Sequence, residues 1–249
     1  MSRSDQVRDN YFKPLETAES IKNKAYYLTV ALSFYPSYSE LIPESYRLYV
    51  SYLSIVMVVF YWAIGFISRI YLSPRANDAR AKEFISTAFG VELIHHRTDG
   101  YYNNDEPEGY KKMALMILEN SFFTKEILKK MAIPERIKFG VYFVLWLILF
   151  RISSFDILST ATTLFFSEEV VSNLFRIEWQ RMKTEKIFDE LINSVRLSDS
   201  QSITVPAIDS LVAYETSKSL SGILLSSKIF NENNARLSNE WDRIRESLS

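Results

Sequence analysis

Few residues in this chain have the type and spacing to do chemistry, and most of them fall in one polar segment. His95 and His96 are the only histidines, and Asp99, Asp105 and Glu106 follow closely. Such a set could ligate a metal, but adjacent histidines point in different directions and no helical pair of the HExxH kind exists. A solvated loop is the plainer reading, and no metal or cofactor is expected. Glu106 and Glu108 could act as paired acids, but they flank Pro107 in a turn. No Ser-His-Asp order, nucleophile elbow or phosphate-binding glycine loop is present. With its two histidines side by side, the chain has little to offer general-base catalysis. It is expected not to be an enzyme.

The same segment offers binding chemistry instead. Arg97, Tyr101, Tyr102, Asn103, Asn104, Lys111 and Lys112 combine cations, stacking rings and amides. Those groups hold the phosphates and bases of small nucleotides. Arg97, Tyr101, Tyr102, Lys111 and Lys112 are therefore the candidate ligand-binding residues; a surface loop packed on neighbouring helices is the alternative. A second set lies on apolar stretches, where Thr29, Ser33, Ser51, Ser54, Ser159, Thr160, Thr162 and Thr163 place hydroxyls. Ser51, Ser54, Ser159, Thr160 and Thr163 could bond between helices or line a water-filled path in an assembly. Arg151 and Asp156 could pair locally or ring a pore mouth.

The elements that would carry these residues follow from the distribution of apolar residues rather than from composition. Hydrophobic residues are 47% and charged residues 24%, and the net charge is −1. Such averages are ordinary for a globular protein and supply no general basic surface for DNA or RNA. There are no cysteines, which excludes disulfides and thiolate chemistry. Six glycines are too few for a glycine-rich all-β architecture. Met1 to Ser20 is polar with both charge signs and does not read as a secretory signal peptide.

Between Arg47 and Arg69 every residue is uncharged, and Leu48–Ser68 has about the 20 residues needed to cross a ~30 Å hydrocarbon core. Tyr49, Tyr52, Tyr61, Trp62 and Tyr71 suit interface zones. A second apolar run, Phe139–Phe150, lies between Lys138 and Arg151, cations that can snorkel. Pro134 suits the first turn of that helix. Two weaker runs, Ala25–Ser39 with Pro36 as a break and Ile157–Ser167, sit beside the strong ones. The expected fold is all-α and integral to a membrane: two transmembrane hairpins, about 25–42 with 46–72 and 134–153 with 155–176, giving about four spans.

Charge placement supports four spans. Arg3, Arg8, Lys13, Lys22 and Lys24 precede the first hairpin, and the segment from Arg69 to Lys138 is rich in cations. The hairpin tips hold only Arg47 and Arg151. Cytoplasmic loops collect Lys and Arg, so both termini and the centre are expected in the cytoplasm. The organisation is then a cytoplasmic arm 1–24, a hairpin 25–72, a cytoplasmic helical region 73–133, a hairpin 134–176 and cytoplasmic helices 177–249. Within the polar parts, helices are expected over about 77–89, 110–131 with a split near Asn120-Ser121, and 176–195. Two more are expected from Thr204, as N-cap, to Ile229 and from Asn233 to Leu248.

Certain stretches carry a family likeness: Tyr214-Glu-Thr-Ser-Lys218, Gly222 to Asn231, Asn234 to Asp242, Ala79 to Phe84 and Glu119 to Thr124. With two apolar hairpins around a polar helical middle, the chain resembles the SMODS-associating four-transmembrane effector family of bacterial anti-phage systems. The resemblance implies an effector of cyclic-oligonucleotide (CBASS-type) defence in the bacterial inner membrane. A partner nucleotidyltransferase would make the nucleotide, and the effector would form homo-oligomers, breach the bilayer and cause abortive infection. The rival expectation is a membrane-anchored scaffold or interaction subunit with no pore.

Overall fold

The computed structural model describes residues 5–35, 39, 40, 42–95, 106–152, 154–166, 168–197 and 202–248. Among them there is no β-strand, and eight α-helices follow in order: α1 Lys13–Ser33, α2 Glu44–Ile67, α3 Ser73–Phe89, α4 Tyr110–Ile152, α5 Phe155–Phe165, α6 Asn173–Leu197, α7 Thr204–Ser221 and α8 Ser227–Glu246. Short π turns at Arg8–Phe12, Ser68–Leu72 and Glu168–Ser172 lead into α1, α3 and α6. The chain divides into two compact units: residues 1–9, 76–134 and 175–249 form one, and residues 10–75 and 135–174 form the other.

The first unit is organised like a soluble helical domain. Six successive residues of α4, Met113 to Leu118, are all buried, which makes this half of α4 a central helix surrounded on every side. Phe84 and Ala88 of α3, Ile187, Phe188 and Leu191 of α6, Ala207 and Tyr214 of α7, and Leu237 and Trp241 of α8 complete the core. Phe122 packs its ring against Phe188 and Trp241 at about 6 Å. Two pairs of buried polar groups bond across helices: Thr124 bonds the Tyr214 hydroxyl at 2.8 Å, and Ser221 donates to Gln180 at 2.9 Å. Arg80 ties Asp5, at 2.8 Å, to the buried Glu83, at 2.6 Å.

The second unit is built differently. Its apolar interior is small: Tyr26, Phe165 and Val170, flanked by Val30, Tyr61, Phe139, Tyr142, Trp146 and Val171. No residue of α2 is buried, and Tyr49, Leu53, Val56, Val59, Trp62 and Phe66 of α2 are all exposed. Unbroken exposed apolar surface on this scale marks a contact with something other than water. Glu44–Phe89 is one helical run of 46 residues, long and apolar enough to cross a membrane, and none of its most apolar stretch is buried.

That run is continuous because of its π turn. Pro74 has no N–H to offer the carbonyl of Ile70, and its ring would crowd that carbonyl. Just ahead of it the Ser73 N–H donates to Ser68, five residues back, so the helix widens locally instead of ending.

The structure corrects several sequence expectations. α4 is a single helix of 43 residues with Pro134 inside it, not two helices meeting at Pro134. Losing one backbone bond costs about 3 kcal/mol, and burial of Leu128 and Ala132 against Ile177 just before the proline offsets it. The expected split at Asn120-Ser121 is absent because the buried Ser121 hydroxyl donates to the Leu118 carbonyl of its own helix. α7 stops at Ser221 rather than Ile229: Gly222 takes a left-handed conformation (φ 57°) and donates to Lys218, a glycine C-cap. α8 correspondingly starts at Ser227, where the Ser226 hydroxyl accepts from the Ile229 N–H. Thr204 is the first helical residue, not the N-cap, which is Ile203. α1 runs from Lys13 with no break at residue 25. α5 has only 11 residues, about 16 Å of rise.

Trp241→Ala should destabilise the first unit by roughly 3–5 kcal/mol, seen as a lowered unfolding midpoint in detergent. Val212→Ala on the exposed face of α7 should leave the midpoint nearly unchanged.

Candidate functional site

The most unusual chemistry of the described residues lies in the apolar unit. On α1 the buried positions are Leu15, Lys22, Ala25 and Tyr26. Helical periodicity puts them on one stripe, so Lys22 occupies a place where an apolar residue would be expected. It is 8% exposed. Its ammonium lies 2.9 Å from Oε1 of Glu169, itself 9% exposed, and 3.5 Å from Glu19. Glu169 sits in the π turn between α5 and α6, and its Oε1 also accepts the Tyr61 hydroxyl of α2 at 2.8 Å. Gly65, one turn further along α2, lies beside the Lys22 stem, where a Cβ would sit at an ordinary contact distance of 3.8 Å.

Three segments far apart in sequence are thus joined by one carboxylate oxygen. A buried ammonium and carboxylate repay their desolvation only with good geometry and further hydrogen bonds, and the tyrosine supplies one. Chemically the cluster is a knot of ion pairs and one tyrosine hydrogen bond.

At the opposite end of α1 and α2 the Tyr35 hydroxyl donates to the Arg47 carbonyl at 3.1 Å, and the Arg47 Nε donates to the Ile42 carbonyl at 3.0 Å. Arg47 therefore serves to hold the turn between the two helices. Arg151 and Asp156 are both exposed, and no ion pair between them occurs among the described residues, contrary to the local pair that their spacing suggested.

The hydroxyl-bearing residues mostly bond to their own helices. Ser51 donates to Arg47, Ser54 to Val50, Thr160 to Asp156 and Thr163 to Ser159, each to the carbonyl four residues back at 2.9–3.1 Å. Ser159 is exposed. Such back-bonding satisfies the hydroxyl without a neighbour. Thr162 differs, because it also accepts the Trp146 indole N–H at 2.9 Å and so joins α5 to α4.

Of the expected nucleotide-binding residues, Arg97, Tyr101 and Tyr102 lie outside the described residues. Lys111 and Lys112 stand in the first turn of α4, where Lys111 is exposed and pairs with Glu106 at 2.8 Å. Lysines at a helix N-terminus oppose the macrodipole, so that turn gains from any anion close by. No group of three or more potential metal-ligating side chains occurs among the described residues.

Sequence reasoning counted Lys22 only as an arm cation and overlooked Tyr61 and Glu169 as its partners. The signal available was the seven-residue interval from Leu15 and the adjacency to Ala25-Tyr26, which puts Lys22 on the apolar stripe. Comparison of the chain with protein-family models, with curated proteins and with solved structures gives no match.

Lys22→Met strands Glu169 and should cost roughly 3–5 kcal/mol. Adding Glu169→Gln, which still accepts from Tyr61, should recover most of it. Thermal unfolding in detergent measures both, and equal losses in the single and double variants would contradict the coupling.

Proposed function

We propose that the chain is a membrane effector of bacterial anti-phage cyclic-oligonucleotide signalling. In this reading residues 25–72 and 134–176 lie in the inner membrane as two hairpins, and the polar helices and both termini are cytoplasmic. The observation that carries it is α2, a helix of 24 residues with none buried, in a unit whose interior is too small to be its purpose. The sequence resemblance to four-transmembrane effectors supplies the signalling role.

Ligand recognition is assigned to the segment from Arg97 to Lys112. Two lysines on the first turn of α4, followed by a core helix, would translate the arrival of a phosphodiester into a change of packing. A ligand shifts such an equilibrium only by preferring one state, and the preferred state here is the homo-oligomer that breaches the bilayer. The rival, a membrane-anchored scaffold without a pore, draws support from the hydroxyls of α2 and α5, which are satisfied inside their own helices.

The test is dye release from liposomes containing the purified protein, with and without a panel of cyclic di- and trinucleotides. Release with one nucleotide only is expected. No release from folded, inserted protein would favour the scaffold. Lys111→Glu combined with Lys112→Glu should raise the nucleotide concentration for half-maximal release by roughly ten- to a hundredfold, from the loss of charge-assisted bonds of about 1.5–3 kcal/mol each. An unchanged response would remove the α4 lysines from the sensor.

A further inference from the structure

The heights of the apolar stretches in the membrane-facing unit disagree with one another. On α2, Arg47 and Arg69 are 22 residues apart, about 33 Å at 1.5 Å per residue. That matches a hydrocarbon core of about 30 Å. On α4, Lys138 and Arg151 are only 13 residues apart, about 20 Å. α5 has 11 residues, with Asp156 in its first turn and the Glu168-Glu169 pair just past its end. On α1 the uncharged stretch begins after Lys24 and the helix ends at Ser33.

Contacts within the unit put these limits in register. Tyr35 meets Arg47 at one end of α1 and α2, and Lys22 and Glu169 meet Tyr61 at the other. The part of α2 that packs beside the α1 stretch is therefore Arg47 to Tyr61, again about 21 Å by helical rise. Trp146 with Thr162, and Phe139 with Phe165, align α4 and α5 over the same interval.

Lys138 pairs along its own helix with Glu135 at 2.6 Å, and a lone lysine can snorkel several ångströms toward water. Lys22 cannot, because it is held by a glutamate whose short side chain is fixed in a π turn. Beyond that level α2 continues with exposed apolar residues, among them Trp62, Phe66 and Ile67, whereas on α4 the exposed Ile137 and Ile133 are interrupted by Glu135, Arg136 and Lys138. In a bilayer of ordinary thickness the ion pair would lie eight residues inside the Arg69 end of α2, about 12 Å deep.

We infer that the wall made by α1, α4 and α5 fits a bilayer whose apolar core is locally thinned to about 20 Å, with the Lys22–Glu169–Tyr61 cluster at the level reached by water and headgroups. α2 alone matches undisturbed lipid. Each copy then carries one full-height and one short side, and the short side imposes a mismatch that the bilayer relieves by thinning. This rests on the membrane reading above and deepens it. Its partner is the acyl-chain region of phospholipid, and the thinned rim is where a breach would start.

The experiment reconstitutes the full chain in phosphatidylcholine vesicles whose monounsaturated chains increase from fourteen to twenty-two carbons. Resistance to alkaline extraction and the thermal unfolding midpoint are measured in each. Both are expected to peak in the shortest lipids. Lys22→Leu with Tyr61→Phe and Glu169→Leu makes the cluster apolar and should move the peak to longer chains. Glu135→Leu with Lys138→Leu, which leaves the cluster intact and lengthens the α4 stretch, should move it the same way.

A wild-type peak at eighteen carbons or above would overturn the inference, as would both variants peaking where the wild type does. Extractability from every lipid would overturn the membrane reading along with it. Dye release is scored separately: a short-chain peak without nucleotide-triggered release would leave the thinned wall standing and remove the pore.

Discussion

An ammonium group on the buried stripe of a helix has to be neutralised where it stands. Lys22 imposes that constraint on the apolar unit, and much of the local architecture follows. The carboxylate that meets it comes from a π turn, Glu168–Ser172, rather than from the regular helix beside it. The remaining capacity of that oxygen is filled by Tyr61, and the lysine stem passes beside Gly65 of α2. Removing the charge from one partner alone would leave the other desolvated and unpaired, the expensive half of a buried ion pair. The knot therefore fixes the register of α1 on α2 more sharply than the few buried apolar side chains around it can.

Helix continuity is the second organising feature. Pro74 and Pro134 would each be expected to end a helix, and neither does. The first is absorbed by a π turn immediately before it, the second by a helix already committed to burial on its N-terminal side. As a result α4 contributes to both compact units, and Glu44–Phe89 passes from one into the other.

What could be read from sequence divides along the same lines. The all-helical class and the apolar stretch of α2 were plain, because a charge-free run between Arg47 and Arg69 needs no tertiary information. Boundaries set by local chemistry were also within reach: Gly222 has the signature of a C-cap, and reading α7 through to Ile229 passed over it. Pro134 is a different case. Whether a proline starts, kinks or merely sits within a helix depends on what its neighbours bury, and the burial of Ala132 against Ile177 cannot be seen in one dimension. The Lys22–Glu169–Tyr61 cluster is harder still. Lys22 betrays itself by its place on an apolar stripe, but its partners are set by how α1 and the π turn approach α2. Of the expected nucleotide site, Lys111 and Lys112 are placed at the start of α4, which the sequence foresaw from the turn residues ahead of them.

The discontinuity of the apolar unit has a consequence for how the protein is made. It is assembled from residues 10–75 and 135–174, and Glu169 follows Tyr61 by 108 residues. During synthesis α1 and α2 therefore exist for some time as a pair whose lysine meets only Glu19 of its own helix, while the central polar helices emerge. The nascent hairpin must stay where Lys22 can remain hydrated until the last part of the unit arrives. Closure of the knot is thus a late event in biogenesis.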